Sequence, residues 1–184
     1  MHRSYVFAAL LALMALTRIG HFGTAVSLPD ASLAVFLLGG LWLGRWIHFP
    51  AFMALAFGID VYLARTATEA GWCLTPAYWG LLPTYALMWL AGRWVSRAPT
   101  QMQVERYATV GLIATTLAFV VSNLTFWAFS GYFGEMAITT YALAVVEHFP
   151  PYLGSTALYL ALGWIAHRRS EEHTSELQSH MDIS

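Results

Sequence analysis

Charge and thiols are what this sequence has least of: only 10% of its 184 residues are charged, and there is a single cysteine, Cys73. So small a polar fraction beside 58% hydrophobic residues excludes a soluble globule, which could not cover its surface. One cysteine excludes any disulfide within the chain and leaves the thiol either idle or a soft ligand for something arriving from outside. No glycine-rich phosphate loop, Ser-His-Asp set or nucleotide motif is legible to supply ATP hydrolysis, so any energy must come from a partner or a gradient. No histidine stands at metal-pair spacing to His21, so a preformed zinc or iron cage built only of protein groups is not expected.

What is present is apolar sequence. A helix needs roughly 20 apolar residues to cross about 30 Å of hydrocarbon, and six runs come close: 4–19, 31–47, 51–64, 76–95, 107–129 and 152–166. The expected fold class is therefore an all-α integral membrane protein with six transmembrane helices. Local bilayer thinning or snorkelling of Arg18, Arg45 and Arg65 accommodates the shorter runs. Trp42, Trp46, Trp79, Trp89, Trp94 and Trp164 lie mostly toward the run ends, where amphipathic rings favour the bilayer interface. Asp30 is placed to cap a helix starting at Ala31, and Thr75 one whose first residue is Pro76. Pro83 lies inside the fourth run and is expected to kink it. The stretch 134–149 is too short and too charged at its end for a span and reads as an outer-face helix or re-entrant cap.

Arginine placement sets the orientation, because cytoplasmic loops carry the basic excess. With the N-terminus inside, Arg3, Arg45, Arg93, Arg97, Arg106 and Arg168 are cytoplasmic, and only Arg18 and Arg65 lie outside. The first run reads as a membrane helix rather than a signal peptide, since no small-x-small cleavage site follows it cleanly. Loops 17–30, 65–75 and 130–151 are then external and carry His21, Asp30, Glu69, Cys73, Glu135, Glu147 and His148. Loop 92–106 is cytoplasmic, a topogenic basic cluster. Residues 169–184 resemble the in-frame translation of a common sequencing-library adapter. They are expected to be disordered and are set aside like a fusion scar, leaving a membrane domain over 1–168 with its native C-terminus beyond Arg168 missing.

Asp60 is the costliest residue to explain as ornament: an aspartate near a membrane-helix centre costs roughly 2.5–3.5 kcal/mol on insertion scales. Two readings stand, a packing acid bonded to Asn123, Ser122 or Tyr62, and an acceptor facing a cavity. Cys73 is either a small packing residue or a ligand. As a free thiol it is only slightly ionised near neutrality, so metal coordination would have to drive deprotonation, and Asp60 and Glu69 nearby would oppose it. His21, in Arg18-Ile-Gly-His-Phe-Gly23, is an interfacial hydrogen-bonder or a ligand. Tyr78 opens the next run behind Thr75-Pro76, so Asp60, Cys73 and Tyr78 can converge on one site.

At these residues the chain resembles the BtuM proteins, small vitamin B12 transporters related to the substrate-binding S-components of energy-coupling factor importers. The resemblance spans about residues 4–168. It rests on His21-Phe-Gly of the first external loop, Ser27-Leu-Pro-Asp-Ala31, the intramembrane Asp60, Trp72-Cys73 and Tyr78 at matching separations. It implies an S-component-like bundle with an outward-facing pocket, in a multi-pass protein of the bacterial cytoplasmic membrane. It also implies cobalamin as the substrate, Cys73 as the ligand of its cobalt, and His21, Asp60 and Tyr78 as lining residues. It further implies that Cys73 removes cyanide from cyanocobalamin. S-components contact their coupling subunit through an Ala-x-x-x-Ala face on the first helix, which Ala8 and Ala12 fit; small residues four apart allow close helix approach. The other readings are a membrane enzyme that dealkylates or decyanates corrinoids, and an uptake component for another ligand such as haem.

Overall fold

A computed structural model describes residues 3–19, 28–66, 74–97 and 104–181, and every regular element among them is helical. In chain order these are α1 (Arg3–Ile19), α2 (Ser32–Trp42), α3 (His48–Thr66), α4 (Leu81–Ser96), α5 (Val104–Phe129), α6 (Ile138–Val145) and α7 (Phe149–Met181). A 3-10 turn, Pro76–Gly80, leads into α4, and another, Val146–His148, joins α6 to α7. Two of these helices, α3 and α5, are long and apolar enough to cross a membrane. The six apolar runs each carry one α-helix of 11 residues or more, whereas 134–149 carries only the eight residues of α6 and the following turn.

Run 31–47 differs most from expectation. Its helix spans 11 residues, well short of the roughly 20 that cross a bilayer. Gly44 stops it: at φ +65° it takes the left-handed conformation in which helices end, and its N–H turns back to the Gly39 carbonyl at 3.2 Å. What α2 lacks in length it makes up in burial, with every residue from Ser32 to Gly40 buried. It packs against α1, α3, α4 and α7 and is the central helix.

Glycine makes that centrality possible. A Cβ on Gly40 would meet the backbone of Trp89, and one on Gly92 the Leu37 carbonyl, so α2 and α4 approach backbone to backbone as only small residues permit. Around this seam Phe36 stacks on Tyr85, 4.2 Å between centroids and 8° between planes, and Trp89 fills the space between Phe49 and Phe52. Helix α1 adds Val6, Leu10, Met14 and Thr17, spaced three or four apart as one buried stripe. Its opposite face leaves Tyr5, Ala8, Ala12 and Leu16 exposed. The outside of α5 is likewise apolar, with Leu112, Ile113, Leu117, Val120 and Leu124 exposed.

Two local expectations are revised. Thr75 does cap, accepting from the Ala77 N–H at 3.3 Å with Pro76 next in line, but the turn it starts is 3-10 and becomes α-helical only at Leu81. Pro83 therefore sits in the first turn of α4, where a helix has backbone donors to spare, rather than mid-helix. Of the stretch 169–184, set aside above as a disordered tail, residues 169–181 continue α7, which runs through Met181, and 182–184 lie outside the described residues. The stretch beyond Ala166 contains neither glycine nor proline, and a helix already nucleated propagates through such residues at little cost.

Candidate functional site

The chain runs up and down, so the C-terminal ends of α1, α3 and α5 gather with the N-terminal ends of α2, α4 and α7. Between them lies a cavity of about 570 Å³, within the range of about 300–1,000 Å³ common for small-molecule sites. Its floor is ionic. Arg18, in the last turn of α1, donates from Nε to Asp60 Oδ1 at 2.7 Å and from Nη2 to Asp60 Oδ2 at 2.6 Å, the two-pronged geometry that a planar guanidinium makes with a carboxylate. Its Nη1 reaches Ser32 Oγ at 2.8 Å, Tyr85 Oη at 3.0 Å and Asp30 Oδ2 at 3.3 Å. One side chain thereby ties α1 to α2, α3 and α4.

The pair is buried, with side-chain exposure of 10% for Arg18 and 8% for Asp60. A charge so placed is tolerable only when paired and fully hydrogen-bonded. Asp60 therefore has neither of the expected packing partners from α5: Ser122 and Asn123 line the opposite wall of the cavity. Arg18, expected to snorkel out of the membrane, instead turns inward to the acid. Tyr78 completes the floor, donating its hydroxyl to Asp60 Oδ2 at 2.9 Å. Its ring lies edge-on to Phe57 at 5.5 Å and also borders a second, apolar cavity of about 540 Å³ lined by Met53, Phe57, Leu74 and Trp79.

Asp30 does not stand at the N-cap of α2, which is Ala31, but one residue before it, where it still satisfies the first helical N–H. Its Oδ1 accepts from the Ser32 N–H at 2.9 Å and the Ser32 hydroxyl at 2.6 Å, and α2 starts at Ser32 rather than Ala31. Tyr159 of α7 holds the preceding Pro29 carbonyl at 2.7 Å. With Asp30, Asp60 and Arg18 together, the floor has a formal charge of one negative unit.

The facing wall is neutral, built from Ser122 and Asn123 of α5 with Tyr152 and Ser155 of α7. Asn123 is held at both ends: its Nδ2 donates to the Phe119 carbonyl at 2.9 Å, and its Oδ1 accepts from the Tyr141 hydroxyl at 3.2 Å. Desolvation pushes the Tyr141 phenol above its ordinary pKa, which keeps it a donor. His148 lies at the rim, largely exposed.

Of the four site residues inferred from sequence, Asp60 and Tyr78 meet in this cavity. Cys73 and His21 lie outside the described residues, as do Glu69 and Trp72. Ala8 and Ala12 are on the exposed face of α1, away from the cavity. Arg18, Tyr85 and the α5–α7 wall were missed as site residues. An available signal was the need of a buried aspartate for a cation, and Arg18 is the arginine at that end of the chain's first helix. Among the described residues no cluster of three or more His, Cys, Asp or Glu side chains could hold a metal ion. No family model matches the chain, and none of the curated proteins is significantly similar to it.

Proposed function

We propose that this protein binds cobalamin at the open end of its helix bundle and helps carry it across the bacterial cytoplasmic membrane, with the Cys73 sulfur on cobalt. The apolar exterior of α5 suits lipid, since a soluble protein seldom exposes so continuous a patch. Six spans with the N-terminus inside is the arrangement proposed, with α2 held among its neighbours rather than crossing alone.

The observation that carries the reading is the buried Arg18–Asp60–Tyr78 set beneath a ligand-sized cavity. It lies where the chain segments bearing His21 and Cys73 begin and end. His21 follows Arg18 by three residues, and Cys73 directly precedes Leu74, which shares the second cavity with Tyr78. Arg18 also removes an objection, because an Asp60 already paired with a guanidinium no longer opposes a thiolate as a bare carboxylate would. The cavity is smaller than a whole cobalamin, so the macrocycle enters by an edge and the nucleotide tail stays at the mouth.

In this reading Asp60 and Tyr78 orient the ring edge, and Cys73 supplies the metal ligand. On cyanocobalamin the sulfur takes the axial place of cyanide, cobalt stays trivalent, and the thiol proton leaves with cyanide as HCN. Ala8 and Ala12, exposed on α1, are the proposed contact for an energy-coupling module. The test is the visible spectrum of the purified full chain mixed with cyanocobalamin. The expected result is a shifted spectrum with cyanide released, and an unshifted one for Cys73→Ala. Identical spectra for the two proteins would overturn cobalt–sulfur ligation, and a haem spectrum from the protein as purified would favour the haem reading.

A further inference from the structure

The serine and threonine hydroxyls on the helices lining the cavity share one hydrogen-bonding state. Thr84 donates to the Gly80 carbonyl at 2.7 Å, Ser122 to the Phe119 carbonyl at 3.1 Å, and Ser155 to the Tyr152 carbonyl at 3.0 Å. A hydroxyl has one proton and two lone pairs, so each of these, its proton committed to its own helix, offers the cavity only an acceptor. Asp30 and Asp60 are acceptors too. The donors are fewer: Arg18 is engaged with Asp60, Asp30, Ser32 and Tyr85, the Tyr85 hydroxyl accepts from Arg18 and keeps its own proton, and the Tyr152 hydroxyl is hydrogen-bonded to Ser122. Asn123 keeps one amide hydrogen beyond the one it gives to Phe119.

We infer that this cavity selects a ligand edge bearing uncharged N–H donors, primary carboxamides above all, and rejects the same edge as carboxylates, with Ser122 and Ser155 setting the preference. Two independent features support it. The walls supply lone pairs that a carboxamide NH₂ satisfies and a carboxylate, itself only an acceptor, leaves facing other lone pairs. The floor's net negative charge repels an anion at close range and leaves an amide unaffected. A site that hydrogen-bonds a substrate N–H discriminates strongly against an analogue without it, because its own polar groups are then left unpaired.

The inference rests on the cobalamin reading, which it narrows to the fully amidated corrin edge. Its test uses the full chain in lipid nanodiscs at neutral pH and two probes, cyanocobalamin and the monocarboxylic acids made from it by mild acid hydrolysis of its side-chain amides. The acids should bind at least about tenfold more weakly, a gap of about 1.4 kcal/mol. In the double variant Ser122→Ala, Ser155→Ala the gap should narrow, because cobalamin loses affinity and the acids do not. Alanine favours a helix at least as well as serine, so folding is expected to survive, and Ser122→Thr, which keeps the hydroxyl, should retain the preference. Equal affinities for amide and acid, or an unchanged gap in the double variant, would overturn this inference and leave cobalamin binding standing. No binding of either probe would overturn both.

Discussion

Replacing Arg18 by methionine removes the guanidinium and its five hydrogen bonds from the cavity floor while keeping roughly the length of the side chain. It leaves Asp60 buried at 8% side-chain exposure with Tyr78 as its one remaining partner among the described residues. Asp30 is less affected, since it is one-third exposed and keeps both bonds to Ser32. Breaking a buried ion pair from one side costs about 3–5 kcal/mol, whereas replacing both members with apolar groups is often neutral or even stabilising by about 1–4 kcal/mol. Arg18→Met should therefore destabilise by about 3–5 kcal/mol. Asp60→Leu should cost less, because Arg18 keeps Asp30, Ser32 and Tyr85, and the double variant should recover most of the loss. The assay is reversible unfolding in mixed micelles, followed by tryptophan fluorescence and read as a double-mutant cycle. A loss below about 1 kcal/mol for Arg18→Met, or a double variant equal to the sum of the singles, would refute the buried pair. It would also show that Arg18 snorkels to the interface after all.

Three further outcomes are expected. Gly92→Ala should destabilise by about 1–3 kcal/mol as an overpacked contact, because its Cβ meets the Leu37 carbonyl; Gly58→Ala, with nothing within 4 Å, should not, and equal melting of the two would refute the α2–α4 seam. Tyr78→Phe keeps the ring against Phe57 and loses one hydroxyl, so unfolding should change by about 1 kcal/mol while cobalamin-dependent growth falls markedly; normal growth with lowered stability would make Tyr78 a packing residue only. Truncation after Arg168 should leave membrane abundance and cobalamin uptake unchanged, and a clear loss of uptake at equal abundance would show that the polar end of α7 has a role.

The helices were legible because apolar runs and their punctuation are local. Runs 4–19, 51–64 and 107–129 coincide with α1, α3 and α5 to within a few residues, and Thr75-Pro76 starts its turn where a side-chain acceptor followed by proline should. Run 31–47 extends past its helix because hydropathy continues through Leu43 and Trp46 while the backbone turns at Gly44. No composition measure registers a left-handed glycine. Asp60 and Tyr78 stood out as polar groups placed at a cost beside a loop with a lone thiol. Arg18 did not, because an arginine at the end of an apolar run has the same sequence appearance whether it reaches out to headgroups or inward to a carboxylate.

From sequence alone came an all-helical chain, the positions of its helices, and the presence of an acid that must have a partner. Those follow from properties a residue carries wherever it is placed: hydropathy, helix preference and the cost of an unpaired charge. Which partner Asp60 takes was decided only by tertiary structure, since Arg18 is 42 residues away and Ser122, Asn123 and Tyr62 were equally able to bond a carboxylate. The same holds for the acceptor character of the facing wall. A serine's one proton has no fixed direction in sequence, and only the packed helix, offering its own carbonyl at the right distance, determines that the lone pairs face the cavity.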